Sequence, residues 1–341
     1  MSTIVSSAIN SALHDLFHKD DRVHLVGEDI LDPYGGAFKI SRGLSTEYPD
    51  RVHATPIAEG AIVGVCNGMA LRGLRPIAEI MFGDFITLGF DQIVNHAAKF
   101  RGMYNGKASC PVTIRTPMGG GRGYGPTHSQ ALEKFLIGIP GIRVVSPNPF
   151  HDVAGFYHEA VLGGDDPTVI IEHKLLYGQG VIDSSADRFG EFFIRQGEGP
   201  FPTIHLSLNN FRRSDVTLIT YGGTTRLAMD AARGALIEHE ITADILLLGS
   251  LSPLPIDDIV DVVGTSRRGV TIEEGTGTLG LGAEVASRLQ EHLFGRLAAP
   301  ILRVAARDDI IPAARPMEEE MLPNLERVEE AIRRAVRVQA P

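Results

Sequence analysis

The 341-residue chain has no tryptophan and only two cysteines, Cys66 and Cys110. Neither belongs to a Cys-x-x-Cys pair or stands at a metal-ligand spacing, which excludes a disulfide framework and a cysteine-based zinc site and fits a reducing cytoplasm. No stretch reaches the roughly 18 uninterrupted apolar residues of a membrane span, and Met1 to Asp20 lacks a basic segment leading into an apolar core. Neither a spanning helix nor an export signal is therefore expected. A block of basic residues is also missing. With 32 Lys and Arg against 42 Asp and Glu, the formal charge is −10, which argues against nucleic acid or an anionic membrane as the main partner. The phosphate-loop signature Gly-x-x-x-x-Gly-Lys-Ser/Thr does not occur. Gly275, Gly277 and Gly280 have Gly-x-Gly-x-x-Gly spacing but no suitably placed ribose-binding acid, so they predict a tight turn before a packed helix.

Glycine, by contrast, is plentiful at 38 residues in a chain that is 43% hydrophobic, as suits an α/β protein whose loops approach a ligand closely. The length exceeds one usual domain, and two are expected. Ser2 could cap a helix to Phe17, and Arg22–Gly27 reads as a buried strand ending at Glu28. Further strands are predicted at Pro76–Phe82, Pro111–Arg115, Arg143–Ser146 and Thr168–Glu172, with helices over Phe85–Phe100, Ala131–Ile137 and Pro149–Leu162. This alternation predicts a largely parallel sheet. From Tyr177 to Arg213 periodicity is weak, which suggests a linker or an edge excursion. A second series follows, with strands at Val216–Thr220, Ala243–Leu248, Gly269–Ile272 and Ile301–Val304 and a last helix over Leu325–Val338. The expected architecture is α/β, two doubly wound domains at 1–185 and 214–341 joined by a linker at 186–213.

The chain is organised around Thr55-Pro-Ile-Ala-Glu-Gly60 and the small-residue run from Ala61 to Gly73. Pro56 favours an extended residue before it, and Ala61–Leu71 supports a helix, which puts Glu59 at a strand-to-helix junction. There Ile57, Ala58, Ile62 and Val63 would desolvate the carboxylate, and a glutamate so placed can trade a proton. Ligands in open α/β sheets collect beyond the carboxyl ends of strands, which makes Glu28 a second candidate. His128 follows the glycine-rich loop Pro117–Pro126, with Thr127 as a plausible helix cap, and a histidine there suits proton transfer. Read alone, residues such as Glu28, Glu59 and His128 are more often a loop acid, a helix-start acid and a loop or capping residue.

Several stretches taken in order resemble one family. They are Gly27-Glu-Asp29, Gly35-Gly-Ala-Phe-Lys-Ile-Ser-Arg-Gly-Leu44, Thr55-Pro-Ile-Ala-Glu59, Gly73-Leu-Arg-Pro-Ile-Ala-Glu79, Asp91-Gln-Ile-Val-Asn-His-Ala-Ala-Lys99, His128-Ser-Gln130, Pro140-Gly-Ile-Arg-Val-Val-Ser-Pro147, Glu273-Glu-Gly275 and Gly280-Leu-Gly-Ala-Glu284. The ordered set resembles the β subunit of the thiamine-diphosphate-dependent E1 component of 2-oxo acid dehydrogenases, in the transketolase-like superfamily. The resemblance implies a pyrimidine-binding domain followed by a transketolase-type C-terminal domain. It further implies that Glu59 bonds the aminopyrimidine of thiamine diphosphate, that Ile57 and Phe85 pack on that ring, that Glu28 lines an acidic path near it, and that His128 faces substrate and the incoming lipoyl acceptor. A structural K⁺ held by backbone oxygens of Val112, Ala160 and Asp166 is also implied.

The superfamily's Gly-Asp-Gly motif for the diphosphate and its Mg²⁺ is absent, and Gly163-Gly-Asp-Asp166 is followed by Pro167 with no suitably placed Asn. The resemblance thus implies an α chain that carries the diphosphate end, in an α2β2 heterotetramer, with a lipoyl-bearing E2 as a further partner. One departure is Gly249-Ser-Leu-Ser-Pro253, where the family usually has Arg-Thr-Leu-x-Pro. The implied function is decarboxylation of a 2-oxo acid and acyl transfer to lipoamide. The alternatives are a two-chain carboligase that forms acyloins or ketoses, and a non-catalytic assembly subunit.

Overall fold

The computed structural model of the protein describes residues 3–183 and 185–338. Ser2, expected to cap the first helix, lies outside them. The chain divides into two compact units, one of Met1–Met118 with Phe135–Val181 and one of Gly119–Lys134 with Ile182–Pro341.

In the first unit, α1 (Val5–Lys19) buries Ile9, Leu13, Leu16 and Phe17 along one face and packs on α5 (Val153–Leu162), whose first turn is capped by the Asp152 carboxylate. Strands β1 (Val23–Gly27), β2 (Val52–Ala54), β3 (Arg75–Glu79), β4 (Thr113–Met118), β5 (Arg143–Val145) and β6 (Thr168–His173) are joined in the order β5-β6-β4-β3-β1-β2. Every pairing among them is parallel. Sheet growth reverses at β1, which has β2 on one side and β3 on the other, and such a reversal opens a crevice at the strands' carboxyl ends. Helix α3 (Glu59–Leu71) returns the chain from β2 to β3, and two short helices, α2 (Leu44–Glu47) and α4 (Phe100–Met103), lie in the connections.

The single helix expected over Phe85–Phe100 is instead a 3₁₀ segment, Gly83–Gly89, a π-helical turn, Gln92–Ala97, and then α4. Close packing goes with the tighter winding of the 3₁₀ segment. A Cβ on Gly83 would stand 2.2 Å from the Met118 side chain, and one on Gly89 would stand 3.1 Å from Val63 and 3.3 Å from the Glu59 carbonyl. Ile86, Ile93 and Ala97 are nevertheless buried as the apolar pattern predicts. Around α2, Asp32 holds the Gly43 and Thr46 amides and the Ser45 and Thr46 hydroxyls in a compact turn.

The second unit holds β7 (Arg188–Phe189), β8 (Phe192–Gln196), β9 (Ile204–Ser207), β10 (Val216–Thr220), β11 (Ala243–Leu247), a short β12 (Ser250–Ser252), β13 (Gly269–Thr276) and β14 (Leu302–Ala306). Its sheet runs β14-β13-β10-β11-β9-β8-β7. The pairings among β10, β11, β13 and β14 are parallel, whereas β7, β8 and β9 form an antiparallel edge. Residues 188–207, which show no sustained strand in the sequence, therefore form strands, and this sheet is mixed. Short, partly exposed edge strands carry little apolar periodicity. Helices α6 (Thr225–His239), α7 (Ile256–Ser266), α8 (Leu281–Leu293), α9 (Arg315–Met321) and α10 (Leu325–Arg337) complete the unit, with α10 packed on α6 and β14. Helix α9, unforeseen in the sequence, begins with Pro316 in its first turn.

Candidate functional site

The carboxyl ends of β1 and β2 come together in the first unit, where the Thr55 amide donates to the Gly27 carbonyl at 3.0 Å. Glu28 follows β1 directly, and Glu59 is the first residue of α3. Both are buried, at 6% and 4% exposure. Burial pushes the Glu28 carboxyl above its ordinary range, the nearby charges of Glu59 and Asp29 push the same way, and a bond from the Ala58 amide opposes them. Its Oε1 is buried and has no hydrogen-bond partner among the described residues. Asp29 takes a left-handed backbone, φ +53°, where the chain turns off the strand. Burial disfavours the charged form of the Glu28 carboxyl and lets it hold a proton, and its unsatisfied buried oxygen calls for a polar group from outside the chain.

Ile57, two residues before Glu59, is 83% exposed. Phe85 sits half-buried in the 3₁₀ segment, edge-on to Phe82 with ring centres 5.9 Å apart. Phe82 meets Phe38 at 5.6 Å, and Phe38 meets Tyr177 at 5.2 Å. Tyr177 donates its hydroxyl to Glu172, which also takes a two-pronged ion pair from Arg115 at 2.8 and 2.6 Å. Arg115 reaches Glu79 as well, and all three are buried. Phe85 thus stands at the end of an aromatic chain anchored on a buried ionic knot. Arg115, Glu172, Phe38 and Phe82 escaped the sequence reading, although charged residues inside the otherwise apolar strands β3, β4 and β6 were a visible signal.

The carbonyls of Val112, Ala160 and Asp166 gather around the paired residues Thr113 and Thr168. Val112 accepts from the Thr168 amide at 3.0 Å, Ala160 from the Thr113 hydroxyl at 3.0 Å, and Asp166 from the Thr168 hydroxyl at 3.4 Å. Among the described residues no cluster of three or more His, Cys, Asp or Glu side chains is arranged to hold a metal ion, and no helix is long and apolar enough to cross a membrane.

His128 belongs to the second unit, whereas Glu28, Ile57, Glu59 and Phe85 belong to the first. The helix expected over Ala131–Ile137 is absent apart from one 3₁₀ turn, Glu133–Phe135. Thr127 is accordingly no helix cap, and its Oγ1 instead lies 3.0 Å from His128 Nδ1. The loop is held by carboxylates. The Gly120 amide donates to Glu274, the Gly121 and Gly123 amides donate to Glu318 at 3.0 and 2.8 Å, and Lys134 bonds Thr276 and the Thr278 carbonyl. Glu133 is buried, accepts the Tyr221 hydroxyl at 2.6 Å, and is pushed up to about 7 by burial, with Glu273 and Glu274 adding to the push. Side chains bonded into the interior in this way cannot line a regular helix.

At Gly249, where the resemblance implies an arginine, a Cβ would stand 2.7 Å from the Pro202 carbonyl and 2.8 Å from that of Phe201. Any side chain there would displace that segment.

Residues 3–179 match the family described as transketolase, pyrimidine binding domain, and residues 210–328 match transketolase, C-terminal domain. The chain is 36% identical to the 3-methyl-2-oxobutanoate dehydrogenase subunit beta of Mycobacterium tuberculosis, over 98% of this chain and 92% of that protein. It is 34% identical to the pyruvate dehydrogenase E1 component subunit beta of Leifsonia xyli, over 96% and 93%. The acetoin:2,6-dichlorophenolindophenol oxidoreductase subunit beta of Cupriavidus necator is also 34% identical, over 98% and 97%. Among solved structures, a split-gene transketolase in an inactive β4 tetramer superposes with a TM-score of 0.75 at 21% identity, covering 99% of this chain and all of that one. The fold is therefore that of a transketolase-type protein, a pyrimidine-binding domain followed by a C-terminal domain. Within that class, the chain belongs to the family of E1 β subunits of pyruvate and branched-chain 2-oxo acid dehydrogenases.

Proposed function

We propose that this chain works with an α subunit as a thiamine-diphosphate-dependent E1 enzyme that decarboxylates a 2-oxo acid and passes the acyl group to lipoamide. The observation that carries this reading is the buried Glu28–Glu59 pair at the sheet's reversal, with one Glu28 oxygen left unsatisfied. That site suits the amino and ring nitrogens of an aminopyrimidine. Glu59 would hold the proton at the ring nitrogen, Glu28 would serve as the neighbouring proton reservoir, and Phe85 and Ile57 would pack on the ring faces. When bound, the cofactor supplies the carbon nucleophile and the electron sink for decarboxylation. His128 would move a proton during acyl transfer.

The α chain would supply the Mg²⁺ and diphosphate end, in an α2β2 assembly that delivers acyl groups to a lipoyl-bearing E2. The Val112, Ala160 and Asp166 carbonyls would hold K⁺, since a hard cation of that kind takes oxygen ligands. Two free buried thiols go with a cytoplasmic location. A second reading, with an acceptor other than lipoamide, draws on the similarity to the acetoin-oxidoreductase β subunit.

The test is Glu59→Gln in the holoenzyme reconstituted with its α chain, assayed with pyruvate and with 3-methyl-2-oxobutanoate. Turnover should fall by about 10²–10⁴-fold while the assembly elutes at an unchanged size. Retained turnover refutes the assignment. Acyl-lipoamide as product favours the first reading, and an acyloin favours the second.

A further inference from the structure

The glycine-rich loop before His128 has a partner on the C-terminal arm of the chain. Gly119, Gly121, Gly123 and Gly125 all take left-handed backbones, with φ of 90°, 81°, 70° and 80°. Alternation of left-handed residues turns successive amides toward a common side and forms a nest for an anion. Here the anion is internal. The Glu318 carboxylate, in a residue 0% exposed on α9, takes the Gly121 amide on Oε1 and the Gly123 amide on Oε2. The fit around it is close. A Cβ on Gly120 would stand 2.9 Å from Glu318 Oε1 and 3.0 Å from Leu322, and Cβ atoms on Gly123 and Gly125 would meet Ala313, just ahead of α9. The arm itself is seated by a small apolar cluster of Ala306, Ile311, Leu322 and Met321. From the clamped glycines the chain runs directly to His128, whose amide donates to the Gly125 carbonyl at 3.3 Å.

We infer that Glu318 is a positioning residue for His128, fixing the loop backbone so that the histidine is presented in one place during acyl transfer. This rests on the role proposed above for His128. A carboxylate offers acceptors only, and both of its oxygens are used by loop amides; glutamine keeps the shape but turns one acceptor into a donor that faces an amide N–H. Glu318→Gln should therefore release the loop without emptying the space.

The experiment uses the reconstituted holoenzyme with pyruvate and with 3-methyl-2-oxobutanoate, comparing acyl transfer to lipoamide with decarboxylation read by reduction of 2,6-dichlorophenolindophenol. In Glu318→Gln, kcat for acyl transfer should fall by about tenfold or more, and dye reduction by less than about threefold. Amide exchange at Gly121 and Gly123 in the assembled enzyme should rise by about tenfold. Gly120→Ala, which keeps the carboxylate but pushes the loop off it, should reproduce both effects. The double variant Glu318→Gln/His128→Ala should be no slower in acyl transfer than His128→Ala alone, as expected for residues acting through one group. The inference is overturned if Glu318→Gln keeps acyl transfer within about twofold while His128→Ala is impaired, or if the two losses multiply. If His128→Ala keeps full acyl transfer, the role of the histidine falls first and the positioning role with it.

Discussion

At the scale of single residues, position in the fold sets the charge state of Glu133 more than its chemistry does. The carboxyl is buried, has one bonded oxygen, and is pushed up to about 7 from an ordinary 4.5. The folded protein therefore keeps this proton where the unfolded chain has lost it. Its contribution to stability is full below pH 4.5 and is lost as pH rises through about 7, a change on the order of 3 kcal/mol. The groups facing it are Tyr221, Glu273 and Glu274. Glu133→Gln keeps an acceptor for Tyr221 and cannot ionise. Opening free energies from native-state hydrogen exchange at β10 amides, compared at pH 5.5 and 8, should fall in the natural protein and change far less in the variant. An equal fall in both would assign the titration to another group. Glu59 was legible in the sequence because proline, the apolar flanks and the small-residue helix all lie within a few positions of it. Glu133 was not, because its partner Tyr221 is 88 residues away.

At the scale of elements, the strands of the first unit were readable because each is a short apolar run between turn residues, whereas the charges inside them were not interpreted. Arg115 on β4 bonds both Glu172 on β6 and Glu79 on β3, joining three adjacent strands through side chains as well as the backbone ladder. The same knot receives the hydroxyls of Tyr157 and Tyr177. Arg115→Met would leave two buried carboxylates without their cation and should destabilise the first unit by about 3–5 kcal/mol. Because burial already pushes the Glu79 carboxyl up, losing its cation should let it take up a proton, and the deficit should shrink as pH is lowered from 8 to 5 in urea-unfolding experiments. A deficit that stays constant with pH would mean that lost packing, not lost charge, dominates. The glycine loop illustrates the opposite limit of legibility. Its glycines announced a close approach, but the carboxylates approached, Glu274 and Glu318, lie 154 and 197 residues further on, and only the folded chain brings them in.

At the scale of the whole molecule, helix α3 carries more apolar surface than one chain covers. Ile62, Val63, Cys66 and Ala70 face the core of the first unit, but Ala61 and Val65, on the other side, are exposed, Val65 to 54%. After Glu59 no charged residue occurs until Arg72. Near its start, Ile57 is 83% exposed, and Leu88, whose carbonyl lies 3.3 Å from where a Gly60 Cβ would stand, is 63% exposed. A helix with apolar residues on its exposed side as well as its core side belongs in an interior, and Gly68, with open space where its Cβ would stand, would let a second backbone come close. In the proposed enzyme, the α chain would be that second backbone. Val65→Glu adds a charge at an exposed position, so the lone chain should keep its stability to within about 0.5 kcal/mol. In the assembly the same charge would be buried without a partner, so the variant should fail to form the heterotetramer by size-exclusion chromatography with light scattering and should show no turnover. Val65→Ala, which removes only part of the apolar surface, should still assemble. If Val65→Glu assembles as well as the natural protein, this face of α3 is not where the α chain binds.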